Sequence, residues 1–436
     1  MASVESRTPP RTPIGPVRAS RPIRADRLLS LPEFLFDEID RKKRERIAAG
    51  ADVINLGVGD PDRPTPGFIV EEMNRAMRVL SNQQYPAVGG GMRVFREAAA
   101  EFMERRFGVR VDPVRHVIAL LGSKDGIAHL PWAVCNPGDT ILVPDPAYPV
   151  YAIGAGLAGC RVERMPVSRE TGWKPVVEEG GRQQVEGRRG TSPGLAGSAT
   201  ASAGAEGDGC ARLMWVNYPS NPTAAAADVG FYERVVEWAG RRGTIVGSDL
   251  AYSELYFGEE HRPPSIWQAR NASIEATPAI EFHSLSKTFN MTGWRIGFAV
   301  GHAEVVGALN AIKSNVDSGT FNAIQEAGAL ALRRFDDPAV EEMRSLYRER
   351  RDIAVAGLRA VGCEVEEPTA GFFVWARTPG GMDSMVFAGR LLDEADTVVV
   401  PGAGFSERGR EYFRVALTVE TDRLAEAMER LARLRW

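Results

Sequence analysis

Cysteine is scarce in this chain of 436 residues: Cys135, Cys160, Cys210 and Cys363 stand alone, with no CxxC pair and no neighbouring pair of histidines. That spacing excludes the common zinc motifs and a disulfide framework, so no metal is expected and a reducing, cytoplasmic setting is. Basic charge is not in excess either. Lys and Arg number 53 against 57 Asp and Glu, a net −4, which gives no field for a nucleic acid or a membrane surface. Long apolar runs are also missing, since none approaches the roughly 18 residues that a membrane span requires. The opening segment MASVESRTPPRTPIGPVRASRPIRAD carries Pro and Arg but no apolar stretch, unlike a secretory signal. Residues 1–25 read as a disordered arm.

Glycine is plentiful, and it concentrates between 180 and 210, where nine glycines sit among Ser, Ala, Arg and Glu without one aromatic residue. Such a segment cannot offset its ordering entropy and reads as a disordered surface insertion. On either side of it, β-branched runs alternate with helical periods, the grammar of an α/β fold with a largely parallel sheet. Strands are expected at 139–145, 212–219, 244–252, 279–286 and 295–301. A helix is expected after Asp228, with Tyr232, Val235, Val236 and Ala239 on one stripe and Gly243 as its stop. Further on, FFVWAR, TVVVPG and YFRVALTV read as strands, followed by a last helix with Leu424, Ala427, Met428 and Leu431 on one face. The expected division is a large domain over 61–310 and a smaller α+β domain formed by 311–436 with 26–60.

Three polar clusters fall at the carboxyl ends of expected strands, where open α/β sheets place their ligand crevice. Ser284-Leu285-Ser286-Lys287, with Arg295 eight residues on, sets two hydroxyls and a guanidinium around one amine. These are the parts of a phosphate cradle beside a group able to form a Schiff base. Asp249, with Tyr252 close behind, ends a very apolar strand, and a carboxylate there needs a cationic or hydrogen-bonding partner. The third cluster is Asn217-Tyr218-Pro219-Ser220-Asn221-Pro222-Thr223, a turn. Ser123 and Lys124 open a helical segment whose N–H groups suit an anion. Tyr148 offers a ring for a flat ligand. Arg414, inside an apolar strand, calls for a carboxylate.

Together these residues resemble the fold-type I, pyridoxal-phosphate-dependent class I/II aminotransferases. The likeness runs from about residue 31 to 436, apart from the insertion, through NLGVGDPD, QYP, GSKDGI, DPAYPVY, NYPSNPT, SDLAYSE, HSLSKTFNMTGWRIGF, SNVDSGTFNAIQEAG and YFRVALTV. The resemblance implies a seven-stranded, mostly parallel sheet in the large domain and pyridoxal 5′-phosphate as cofactor. Lys287 would hold the cofactor and carry the proton, Asp249 would face the pyridine nitrogen, and Asn221 and Tyr252 would bind the ring oxygen. Ser123, Lys124, Ser284, Ser286 and Arg295 would hold the phosphate, and Tyr148 would stack on the ring. Arg414 and the Gly57 backbone would take the substrate carboxylate. Tyr85 would reach the phosphate of a neighbouring subunit, which implies a homodimer with shared sites.

Within the superfamily the chain is most similar to the LL-diaminopimelate aminotransferase group, where a residue matching Asn315 lies near the distal end of the substrate. An amino acid and a 2-oxo acid are thus the expected small-molecule partners, with 2-oxoglutarate as acceptor in that group. Departures bear on the substrate. The usual QYPSYEG is QYPAVGGG at 84–91, without the acidic residue expected to read a distal ammonium; NPTG is NPTA at Ala224; and DAAY is DLAY at Leu250. The last two add bulk beside Asn221 and Asp249. A lyase, decarboxylase or cyclising enzyme on the same scaffold stays open as an alternative. A DNA-reading regulator does not fit, because residues 1–25 are too short and Pro-rich for a helix-turn-helix.

Overall fold

The computed structural model describes residues 23–29, 37–86, 89–177 and 210–436. The arm over 1–22 and the insertion up to residue 209 lie outside the described residues. At the centre is a seven-stranded sheet. Its order across the sheet is Val117–Leu120, Gly297–Gly301, Ala279–Ser284, Ile245–Asp249, Leu213–Asn217, Thr140–Asp145 and Arg161–Pro166. Six strands run one way; Gly297–Gly301 alone is antiparallel to both its neighbours. The inner strands are buried at almost every position, which explains why they read as unbroken apolar runs and not as alternation.

Helices cover both faces. Val229–Arg242 shows how the sequence sets them: Asp228 accepts the Phe231 N–H at 2.7 Å, Gly243 ends the helix at φ 63°, and Phe231, Tyr232, Val235, Val236 and Ala239 are buried. Each large apolar side chain fully buried this way stabilises by about 1.5–3 kcal/mol, against about 1 kcal/mol for the cap. Packing, not capping, holds the helix. No helix among the described residues is long and apolar enough to cross a membrane.

The C-terminal region carries a four-stranded antiparallel sheet in the order Val400–Pro401, Tyr412–Ala416, Phe373–Arg377 and Glu364–Val365. The N-terminal strand Ile54–Asn55 pairs in parallel with Thr397–Val398. TVVVPG is therefore not one strand, as its composition suggests, but two short ones that change sheets at Val399. Nothing apolar marks that switch. Two strands of the central sheet, Val117–Leu120 and Arg161–Pro166, were not expected, nor were the two-residue strands Ile54–Asn55 and Glu364–Val365. The first has only four residues, and the second is an edge strand with three exposed positions and no alternation.

Candidate active site

Asn217, Asp249 and Ser284 are each the last residue of a parallel strand. Because Gly297–Gly301 runs the other way, Arg295 just before it arrives at the same edge. There the chain encloses a cavity of about 380 Å³ whose lining includes Ser123, Lys124, Tyr148, Asn221, Asp249, Tyr252, Ser284, Ser286, Lys287, Arg295 and Arg414. That volume suits a small-molecule site.

Lys287 follows the strand, as expected, but stands on the short helix Leu285–Thr288, so the strand ends at Ser284 and not at 286; its Nζ donates to the Gly59 carbonyl at 2.9 Å. Burial brings its ammonium down to about 8, against the opposing field of Asp60 and with the help of Arg295 and Arg414. An amine in that range gains and loses a proton near neutrality. Asp249 is 5% exposed. Its Oδ2 accepts the Tyr151 hydroxyl at 2.7 Å and its backbone oxygen accepts Asn217 Nδ2 at 2.9 Å, while Oδ1 is buried without a partner. Burial pushes the carboxyl up to about 6, with the Tyr151 hydrogen bond opposing. A buried, half-satisfied carboxylate requires a donor.

Anion-binding groups gather on the next wall. Ser123 begins the helix Ser123–Val134, so free N–H groups and the positive end of the dipole open there. Gly122, at φ 81°, lets Arg295 approach: a Cβ on it would lie 2.4 Å from Nη2. Arg295 is itself left-handed at φ 56° and donates to the Thr292 and Leu121 carbonyls at 2.8 and 3.2 Å. Ser284 Oγ accepts the Ser286 N–H at 3.2 Å.

Opposite, Arg414 donates to Asn221 Oδ1 at 2.6 Å and to the Gly57 carbonyl at 2.9 Å, and it lies 4.1 Å over the Phe373 ring. Its Nε has no partner, and burial lowers its pKa to about 10. Among the described residues no carboxylate answers it, so it is a buried cation held there by the neutral Asn221 and Gly57 oxygens. Tyr252 packs edge-on to Phe372 and Phe373. Tyr148 packs edge-on to Tyr151.

Two expected site residues are elsewhere. Tyr85 is 88% exposed and lines a second cavity with Gly89–Gly91 and residues 313–314 and 317–320. Asn315 is exposed on the outer face of its helix, donating to the Ala311 carbonyl. Ala87 and Val88 lie outside the described residues. Ala224 and Leu250 are buried in hydrophobic clusters and absent from the cavity lining, so their bulk does not reach the site as expected. Conversely, Tyr151, Asn217, Gly59 and Asp60 do belong to it. All four lie inside the motifs already singled out, and Asn217 was named there as part of a turn; a buried Tyr such as Tyr151 has no pattern of its own.

The aminotransferase class I and II family model matches residues 51–431. The LL-diaminopimelate aminotransferase of Aquifex aeolicus is 46% identical over 411 residues, 94% of this chain and 99% of that protein. Among solved structures, substrate-bound BacF from Bacillus subtilis superposes with TM-score 0.83 at 31% identity, covering 95% of this chain and 99% of its own. A double mutant of the aspartate aminotransferase of Thermus thermophilus gives TM-score 0.82 at 27% identity, covering 95% and 100%. These likenesses span the sheet, the cavity and the C-terminal region together, and the chain belongs to the class I and II aminotransferases, α/β enzymes of fold type I that move an amino group between an amino acid and a 2-oxo acid.

Proposed function

We propose that the chain is a pyridoxal-phosphate-dependent transaminase whose amino donor is LL-diaminopimelate and whose acceptor is a 2-oxo acid such as 2-oxoglutarate. The observation that supports the cofactor is the orphaned, buried Asp249 Oδ1, which a protonated pyridine nitrogen would satisfy. The cradle of Ser123, Lys124, Ser284, Ser286 and Arg295, kept open at Gly122, fits its phosphate. Bound there, the cofactor supplies an electron-accepting ring and a carbonyl that exchanges with amines. Lys287 holds and moves a proton at Nζ. Asp249 fixes the positive charge opposite Oδ1, and Tyr151 fixes Asp249. Asn221 and Tyr252 orient the ring oxygen, Tyr148 covers the ring from water, and Arg414 presents two N–H groups for the α-carboxylate with Gly57 beside it.

The donor rests on the 46% identity to the Aquifex aeolicus enzyme. We further propose a cytoplasmic homodimer in which Tyr85 and Asn315 serve the neighbouring subunit. Tyr85 is exposed, as are Leu80, Val316 and Phe321, and Asn322 ties the two segments by donating to the Ser81 carbonyl. The small-domain reading of 26–60 with 311–436 is supported by Ile54 and Leu56, which share one hydrophobic cluster with residues from 343 to 431.

The test mixes purified holoenzyme with single amino acids in the absence of keto acid and follows the absorption of the bound cofactor. A spectral change with LL-diaminopimelate is expected. A change only with other amino acids would overturn the donor and leave the transaminase; no cofactor band at all would overturn the cofactor. Lys287→Ala is expected to lower turnover by at least 10²–10⁴-fold, the usual share of proton transfer, with the fold unchanged by circular dichroism.

A further inference from the structure

Cys135 and Cys160 are two of only four cysteines, and the fold brings their side chains together. Cys135 follows the helix Ser123–Val134 as its C-terminal cap, and Cys160 precedes the edge strand Arg161–Pro166. Each thiol lies close enough to the other to influence its ionisation. Cys160 Sγ donates to the carbonyl of Asn136, the residue after Cys135, at 3.6 Å. Backbone bonds lock the two segments side by side: Gly138 N–H to the Gly159 carbonyl at 2.9 Å and Arg161 N–H to the Asp139 carbonyl at 2.8 Å. Both cysteines pack against the same hydrophobic cluster as partly buried residues, so neither is shut away from solvent. Cys363, by contrast, is buried, and Cys210 is exposed at the edge of the insertion.

We propose that Cys135 and Cys160 are a modification site: a thiol pair that closes to an intramolecular disulfide when it meets a small disulfide such as oxidised glutathione. The reaction is a double exchange. The Cys160 thiolate attacks one sulfur of the reagent, forming a mixed disulfide and releasing one glutathione thiolate. The Cys135 thiolate then attacks the Cys160 sulfur and releases the second. One protein disulfide forms, one glutathione disulfide is reduced to two thiols, and the two protein protons end on those thiols. Cys160 is the first attacker because its sulfur lies at the surface, whereas burial and the neighbouring sulfur push the Cys135 thiol up to about 12. The same shift makes the closure slow, since only the thiolate attacks.

The bond would close the segment that carries Tyr148 and Tyr151 into a loop. It would sit at the far end of the 12-residue helix whose first residue, Ser123, lines the cavity, about 18 Å away at 1.5 Å per residue. It therefore staples the sheet edge without entering the site. Constraint of the unfolded chain raises stability, so the oxidised holoenzyme melts higher at unchanged turnover.

Full-length holoenzyme is incubated with oxidised glutathione, alkylated under acid quench and digested for mass spectrometry. The expected result is a peptide linking Cys135 to Cys160, loss of two of the four thiols, a raised melting temperature and reversal by dithiothreitol. Cys135→Ser is expected to stop at glutathione on Cys160, and Cys160→Ser to leave Cys135 unmodified. Wild-type protein that stops at the mixed disulfide, keeps all four thiols, or links either cysteine to Cys210 or Cys363 would overturn the proposal. So would a linked form that melts no higher than the reduced one.

Discussion

At the scale of single residues, the site is built from groups denied their ordinary partners. Among the described residues Asp249 has one oxygen on Tyr151 and one without a partner, Arg414 has no carboxylate, and Lys287 rests on a backbone carbonyl. Each is unfavourable by itself and becomes favourable beside a ligand group of opposite charge. For Asp249 the effect is measurable. Its carboxyl sits near 3.8 in the unfolded chain and at about 6 in the fold, so the folded apoprotein binds this proton more tightly. The resulting stability is complete below about pH 4 and is lost as pH rises through about 6; at 1.36 kcal/mol per unit it totals roughly 3 kcal/mol. Asp249→Asn removes the titration. Against the variant, wild-type apoprotein should therefore lose stability between about pH 4 and about pH 7 and be the less stable of the two near pH 8, while added cofactor should favour the wild type. Parallel melting curves for both proteins across that range would sink the idea.

At the scale of elements, the decisive device is where strands end. Apolar runs closing in Asn217, Asp249 and Ser284 are visible in the sequence, because a polar residue after a buried strand must find partners. The chemistry was legible for that reason, and so were the cap at Asp228 and the stripe of the last helix. Tyr151 was not, because its role depends on a hydrogen bond from the helix Val150–Leu157 to Asp249 at the end of a strand far along the chain. The break at Val399 was hidden for a similar reason, since pairing partners, not composition, decide it. Ala224 shows how magnitudes decide a local departure. It sits at φ 58° and is 5% exposed, where the left-handed backbone costs about 1–2 kcal/mol. Its buried methyl returns about 0.8 kcal/mol, and alanine's stiffer unfolded chain returns about 0.4–1 kcal/mol. The terms nearly cancel. Ala224→Gly is thus expected to change stability by less than about 1 kcal/mol, read as a denaturant midpoint at unchanged slope; a shift beyond about 2 kcal/mol would refute this balance.

At the scale of the whole molecule, the chain's own cavity lacks two residues that the family pattern assigns to a site. Tyr85 projects into solvent beside a second cavity, and Asn315 lies on the same side of the fold, one residue from Ser314 on that cavity's wall. Leu80, Val316 and Phe321 are exposed as well, as the proposed dimer would require of a face that a second copy covers. Tyr85, Pro86 and Gly89–Gly91 of the altered stretch line that cavity, so in the proposed dimer their effect on the substrate would be felt across an interface. If Tyr85 works in trans, two defective chains should repair one another. Coexpressed Lys287→Ala and Tyr85→Ala chains assort so that half the dimers are mixed, and each mixed dimer holds one site with both residues intact. Activity should then recover to roughly a quarter of the wild-type rate, well above either variant alone, with tagged mixed dimers isolated to confirm the source. Recovery no greater than the average of the parent variants, in dimers shown to be mixed, would place Tyr85 outside the partner's site.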